Sequence, residues 1–260
     1  MENNDFTANL FNVSGKVALV TGSTRGLGFT LAKGFALAGA NIVLNGTDKT
    51  RVQSAVDQMR AEGFDSTGLS FDVCDEKSIN ESVQKIEKQF GQIDILVNNA
   101  GIMIRKPLEE FSLIEWQKVI DINLTGAFLV SKAVVHGMIE RRAGKIVNIC
   151  SVQSELARPT ITPYTAAKGG LRNLTRGMAA DWGKYNIQIN GIAPGYFKTE
   201  MTKSLYQDEK FDGWLKVRTP ANRWGDPNEL IGVLLFLSSK ASDYINGQLI
   251  YVDGGLTSCV

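Results

Sequence analysis

Among 260 residues there is one histidine, His136. That scarcity excludes metal sites built on paired histidines. It also leaves any Ser-His-Asp triad dependent on one residue near the end of an amphipathic helical pattern, where a surface or interface place is expected. No cysteine–histidine or carboxylate cluster stands at ligand spacing, so no catalytic metal is expected. The three cysteines, Cys74, Cys150 and Cys259, are scattered and odd in number, which argues against a disulfide framework. Net charge is nearly absent: 28 Lys+Arg against 27 Asp+Glu leave +1, which disfavours nucleic acid or a membrane surface as partner. The longest apolar run, residues 233–237 beside Ile231 and Gly232, falls far short of the ~20 residues that cross a bilayer. The opening Met1-Glu2-Asn3-Asn4-Asp5 lacks the basic and apolar regions of a signal peptide. What remains is a soluble cytoplasmic protein whose 43% hydrophobic content suffices for a substantial core.

The pattern that is present alternates. Residues 1–15 read as a leader strand-turn without chemistry. Short apolar strands are expected at 16–21, 41–44, 66–71, the end of 91–97, 145–149, 187–193 and 248–252. Helical spacing fills the gaps: from the glycines at 26–28 through Leu37, at 49–62, 76–90 and 115–142, from Tyr164 to about 185, and at 228–237. Alternation of this kind implies an α/β fold, a doubly wound parallel sheet with right-handed crossovers. No linker or composition break appears, so residues 1–260 are read as one domain. Residues 196–226 interrupt the rhythm with Trp214, Arg218, Pro220, Arg223 and Trp224, and are expected to form a substrate lid at the sheet's C-terminal side.

The first strand runs directly into Gly22-Ser-Thr-Arg25-Gly26-Leu27-Gly28 and then into a helix. A strand, a glycine turn and a helix N-terminus together make an anion site, because the glycines admit a pyrophosphate to the free N–H groups of the helix. A dinucleotide would touch Gly22, Thr24, Arg25, Gly26, Leu27 and Gly28. The turn after the second strand, Asn45-Gly46-Thr47-Asp48, would meet the adenosine ribose, with Thr47 in contact. Asp48 either faces that ribose or caps the next helix. Arg25 is either placed for a 2′-phosphate or is a solvated loop arginine.

A second constellation lies downstream. Ser151 follows the β-branched strand 145–149, so its hydroxyl belongs at the C-terminal edge, where α/β sheets hold ligands. Tyr164 and Lys168 are four apart and share one helix face. A phenol titrates near pH ~10, and an ammonium beside it favours the phenolate. Ser151, Tyr164 and Lys168 therefore suit proton exchange with an alcohol or carbonyl oxygen. Asn123, polar among Ile122, Leu124 and Phe128, is either a helix-bend element or part of a proton path.

Taken together, Thr21-Gly22-x-x-x-Gly26-x-Gly28, Asn98-Asn99-Ala100-Gly101, Asn123, Ser151, Tyr164-x-x-x-Lys168 and Pro194-Gly195 resemble the short-chain dehydrogenase/reductase family, in its order and spacing. The resemblance implies a seven-stranded Rossmann-type sheet with helices on both faces. It also implies a catalytic tetrad of Asn123, Ser151, Tyr164 and Lys168. Tyr164 would exchange the proton and Ser151 would hold the carbonyl oxygen. Lys168 would lower the Tyr164 pKa and bind the nicotinamide ribose, and Asn123 would support a water relay. Asp72 and Val73 would contact the adenine, with Asn99, Ala100, Gly101, Pro194 and Gly195 bordering the cofactor and Thr199 holding the carboxamide. A homotetramer is implied as well.

Three stretches, residues 148–158, 193–202 and 218–225, further resemble the gluconate 5-dehydrogenases within that family, which implies a sugar-acid substrate. Arg105, Arg158, Arg218 and Arg223 are candidates for a carboxylate clamp, of which one or two would touch substrate. Gln153 and Glu155 are candidates for binding hydroxyls. One departure stands out: where those enzymes often carry two adjacent arginines, this chain reads Met103-Ile104-Arg105-Lys106. Arg25 points to NADP, with NAD as the other candidate. Competing expectations are a deoxy-sugar-acid dehydrogenase, a 3-oxoacyl thioester reductase and a catalytically silent dinucleotide-binding protein.

Overall fold

The computed structural model describes residues 3–259. Met1, Glu2 and Val260 lie outside the described residues, and with them the outermost positions of the leader and of the domain expected over 1–260. Each apolar run becomes a strand: β1 (Val17–Val20), β2 (Asn41–Gly46), β3 (Ser66–Ser70), β4 (Ile95–Asn98), β5 (Gly144–Ile149), β6 (Ile187–Pro194) and β7 (Leu249–Val252). They form one seven-stranded sheet in the order β3-β2-β1-β4-β5-β6-β7, with every neighbouring pair parallel. The order reverses between β1 and β4. At such a switch point the loops leaving the two strands diverge and open a crevice at their C-terminal ends.

Helices cover both faces, as the strand alternation requires. Ala18 and Val20 of β1 pack with α2 (Gly26–Leu37), α3 (Lys49–Ala61) and, near the C-terminus, a helix at Ile231–Ser238. Val17 and Leu19 turn the other way, onto α4 (Glu76–Phe90) and two longer helices around 126–141 and 162–182. Period-two side chains on strands buried from both sides explain why the runs read as continuously apolar.

The expected helix at 115–142 is interrupted. α5 (Leu113–Ile120) starts two residues early because Ser112 and Glu115 form a capping box. A π-helical turn, Asp121–Thr125, separates it from α6 (Gly126–Arg141). By length and apolar composition alone, Leu113–Arg141 would pass for a membrane span. Here its apolar side, Val130, Val134, Val135 and Met138, is buried against the sheet. Beyond β5 comes α7 (Thr162–Trp182).

Residues 196–226 contain two short helices, α8 (Lys203–Tyr206) and α9 (Glu209–Arg218), which close around Leu205, Leu215 and Trp224. A turn at Pro227–Leu230, capped by Asp226, then leads into α10 (Ile231–Ser238). The leader differs from expectation: residues Asn3–Leu10 form a helix, α1, where a strand-turn was predicted. Thr7 is the segment's one β-branched residue, so little in it favours extended backbone.

Candidate active site

One cavity of about 910 Å³ opens at the C-terminal ends of the strands, over the switch point. Its first wall is the glycine turn. Gly22 and Gly26 adopt left-handed backbone, with φ of 61° and 57°. A Cβ on Gly28 would lie 2.4 Å from both the Gly22 carbonyl and Asn99 Nδ2, so only glycine lets the turn fold this tightly. Thr21 and Asn99 lock it from the β4 side. Thr21 Oγ1 accepts from the N–H of Asn99 at 3.0 Å and of Ala100 at 3.1 Å, and Asn99 Nδ2 donates to the Thr21 carbonyl at 2.9 Å. Buried Asn45 ties the turn to the end of β3: its Oδ1 accepts from Gly22 N–H at 3.1 Å and its Nδ2 donates to the Phe71 carbonyl at 3.0 Å.

α3, α4, α5 and α9 each carry an Asp or Ser side-chain cap, whereas Arg25 offers α2 none. The first N–H groups of α2 therefore face the cavity without an internal acceptor, a fit for an anionic ligand. The question left open at Asp48 resolves: its Oδ1 accepts from the N–H of Thr50 at 2.9 Å and of Arg51 at 3.1 Å, so it caps α3. Arg51 Nε lies 3.5 Å from Asp48 Oδ2 and leaves little net negative charge at this end. Arg25, Thr47, Asp48 and Arg51 share the wall. The sequence reading missed Arg51, which looked like an ordinary exposed helix position; only the approach of α3 to the glycine turn reveals it.

The opposite end holds Asn123, Ser151, Tyr164 and Lys168 on one stretch of wall. Ser151 Oγ accepts from Gln153 N–H at 3.1 Å, which leaves its own proton for another acceptor. Burial pushes the Tyr164 phenol up to about 12, and its hydrogen bond with Ser151 opposes that rise. Lys168 Nζ donates to the Ile149 carbonyl at 2.7 Å and sits 5.6 Å from the centre of the Tyr164 ring. Burial pulls Lys168 down to about 8. The ammonium is thus engaged by a main-chain carbonyl, and desolvation is the largest influence on both groups. Asn123, inside the π-helical turn, donates from Nδ2 to the carbonyls of Ile102 at 2.8 Å and Val119 at 2.9 Å. Its buried Oδ1 has no partner among the described residues. Asn123 is thus a residue of the π-helical turn and a wall residue at once.

All the residues read as cofactor contacts, from Gly22, Thr24 and Leu27 through Asp72, Val73, Ala100 and Gly101 to Pro194, Gly195 and Thr199, line this cavity. Among the substrate candidates, Arg105, Gln153 and Arg158 line it too, and Gln153 Oε1 is buried without a partner among the described residues. Glu155 does not. The turn Val152–Ser154 carries it outward, where its carboxylate meets Arg172 and accepts from the Tyr251 hydroxyl at 3.3 Å. Arg218 is occupied by the Cys259 carbonyl at 3.0 Å, and Arg223 by Glu229 at 2.6 Å, so neither belongs to a clamp. His136 is exposed on α6, away from the cavity. Tyr196, Met201 and Leu205 of residues 196–226 were not foreseen on the wall, since an aromatic and charged loop gives no periodic signal.

The cavity thus has an anion-binding glycine turn at one end and a hydroxyl, a phenol and an amine at the other, room for a dinucleotide with a small oxygen-rich molecule beside it. Comparisons with known proteins agree with that arrangement. A family model described as enoyl-(acyl carrier protein) reductase matches residues 22–257. A gluconate 5-dehydrogenase of Gluconobacter oxydans is 55% identical over 249 residues, 96% of this chain and 97% of that protein. A 2-dehydro-3-deoxy-D-gluconate 5-dehydrogenase of Formosa agariphila is 51% identical over 256 residues, 98% of this chain and 97% of that protein. The crystal structure of a gluconate 5-dehydrogenase from Burkholderia cenocepacia J2315, in complex with NADP and tartrate, superposes with a TM-score of 0.94 at 51% identity, covering 98% of this chain and 100% of that one.

Proposed function

We infer that this chain, which belongs to the short-chain dehydrogenase/reductase family, interconverts D-gluconate and 5-dehydro-D-gluconate with NADP, NAD being the second candidate. The observation that carries the reading is the Ser151–Tyr164–Lys168 wall facing a glycine turn across one cavity, in a chain 55% identical to a gluconate 5-dehydrogenase.

When bound, the reduced cofactor NADPH would supply the hydride for reduction and oxidised NADP would accept it in the reverse direction. The chain's own residues handle position and proton. Ser151 Oγ donates to the reacting oxygen at C5, and Tyr164 Oη gives that oxygen a proton or takes one from it. A phenol held near 12 keeps its proton at neutral pH, so reduction starts from the correct form. Lys168 holds the nicotinamide ribose, and Asn123 Oδ1 anchors the water relay that restores the proton. At the far end the α2 N-terminus takes the pyrophosphate and Asp72 and Val73 flank the adenine. Arg25 and Arg51 take the 2′-phosphate, the basis for preferring NADP. Arg105 and Arg158 receive the carboxylate, Gln153 a hydroxyl, and the lid, residues 196–226, closes over them. The protein is cytoplasmic and assembles as a homotetramer through α5, α6 and α7, where Phe128 is exposed.

A second reading, a 2-dehydro-3-deoxy-D-gluconate 5-dehydrogenase, is favoured by the relative of that name at 51% identity and by Ile104, which stands where gluconate 5-dehydrogenases often carry an arginine. The test of the main reading is NADPH consumption with 5-dehydro-D-gluconate. Wild-type protein turns over, and Tyr164→Phe loses about 10²–10⁴ in rate while NADPH binding persists. Normal turnover by the phenylalanine variant overturns the proton assignment; turnover of 2-dehydro-3-deoxy-D-gluconate alone moves the protein to the second reading.

A further inference from the structure

Arg158 is anchored in an unusual way for a guanidinium at a ligand cavity. No carboxylate lies within ion-pair distance of it or of Arg105 among the described residues. Instead its guanidinium stacks over the ring of Phe211, 4.5 Å from the centroid. Phe211 belongs to α9, in the lid, and does not itself line the cavity. It packs on Tyr196 at 5.5 Å and Trp214 at 5.1 Å, and Trp224 stands 6.2 Å away. Tyr196 is the lid-root residue that does face the cavity.

The loop bearing Arg158 is also joined to the loop bearing Arg105, because the Lys106 N–H donates to the Thr160 carbonyl at 3.0 Å. The two guanidiniums are close enough for Arg158 to add to the burial that lowers the Arg105 pKa. Two like charges facing one cavity without a counter-ion await an anion. An aromatic face attracts a guanidinium without neutralising it. Phe211 therefore leaves the Arg158 charge available while fixing where it points.

We propose that Phe211 is a positioning residue: its ring holds Arg158 against the lid so that the substrate carboxylate, on binding between Arg105 and Arg158, is captured and draws the lid down in one event. This rests on the sugar-acid reading of the cavity. Lid position and carboxylate binding then share one contact, and substrates lacking the carboxylate gain nothing from it.

The test is a double-mutant cycle on the full-length enzyme, read at saturating NADPH. Phe211→Leu keeps an apolar side chain but removes the π face, and should raise KM for 5-dehydro-D-gluconate about tenfold, with NADPH affinity within about twofold of wild type. Phe211→Tyr keeps the face and should restore KM to within about twofold. On an Arg158→Met background the Phe211→Leu penalty should vanish, the signature of a direct coupling. A second readout needs no turnover: D-gluconate should change tryptophan emission from Trp214 and Trp224 in wild type and much less in Phe211→Leu. Equal KM penalties for the leucine and tyrosine variants, a parallel loss of NADPH affinity, or additive Arg158 and Phe211 effects would each overturn the proposal. Absence of turnover with a retained emission response overturns the sugar-acid reaction alone; absence of both overturns the reading and the proposal together.

Discussion

Lys168 carries the largest electrostatic liability at the residue scale. It is buried, its one hydrogen bond goes to a main-chain carbonyl, and its pKa falls from 10.5 to about 8. The sign of the consequence follows from proton counting. Below pH about 8 both folded and unfolded chains hold the proton, and the folded state bears the cost of a buried ammonium. Between about 8 and 10.5 the unfolded chain binds more protons, so stability rises with pH. The shift corresponds to about 3 kcal/mol. Lys168→Met removes this titration. Urea midpoints of wild type and variant should therefore converge or cross in wild type's favour as pH rises through that window. A difference that stays constant with pH would show that Lys168 is not desolvated as the structure indicates. At neutral pH the buried ammonium thus costs the fold stability rather than adding to it.

At the scale of elements, the junction of β1, the glycine turn and α2 is the tightest part of the site. Gly28→Ala would drive a methyl to 2.4 Å from the Gly22 carbonyl, a backbone atom, and to 2.9 Å from Ser23 Cα. The expected result is a stability loss of about 1–3 kcal/mol together with weakened NADPH binding, measured by thermal unfolding with and without NADPH. Unchanged affinity in the alanine variant would mean that the turn can relax away from its ligand. This junction was legible because strand, glycines and helix each leave a strong local signal. Other elements were less so. The π-helical turn at Asp121–Thr125 has no proline or glycine before Gly126 to announce it, so α5 and α6 read as one helix. Glu155 was misjudged because two neighbours, Ser151 and Gln153, face the cavity, while the single turn between Val152 and Ser154 rotates the next residue outward. α8 and α9 escaped notice because aromatic and charged residues there pack into their own small cluster and show no stripe toward the main core.

Across the whole molecule, the parallel sheet places the ends of β1, β2, β3, β4, β5 and β6 around one crevice, so residues far apart in the chain converge there. The alternation of strands and helices made this crevice legible from the sequence, whereas Ser151, Tyr164 and Lys168 were legible from their local spacing and Asn123 joined them through the family resemblance. What the sequence left dark was how elements meet: Arg51 lining the same cavity as Arg25, Asp48 spent on α3, and Phe211 beneath Arg158. Each depends on how loops from different strands meet. The most direct measurement is the initial rate with D-gluconate and with 5-dehydro-D-gluconate, each against NADP(H) and NAD(H), followed at the nicotinamide absorbance. The account predicts clear turnover of both sugar acids, faster with NADP(H), because it assigns Arg25 and Arg51 to the 2′-phosphate. No turnover with any pair, from protein that still binds NADPH, would contradict it.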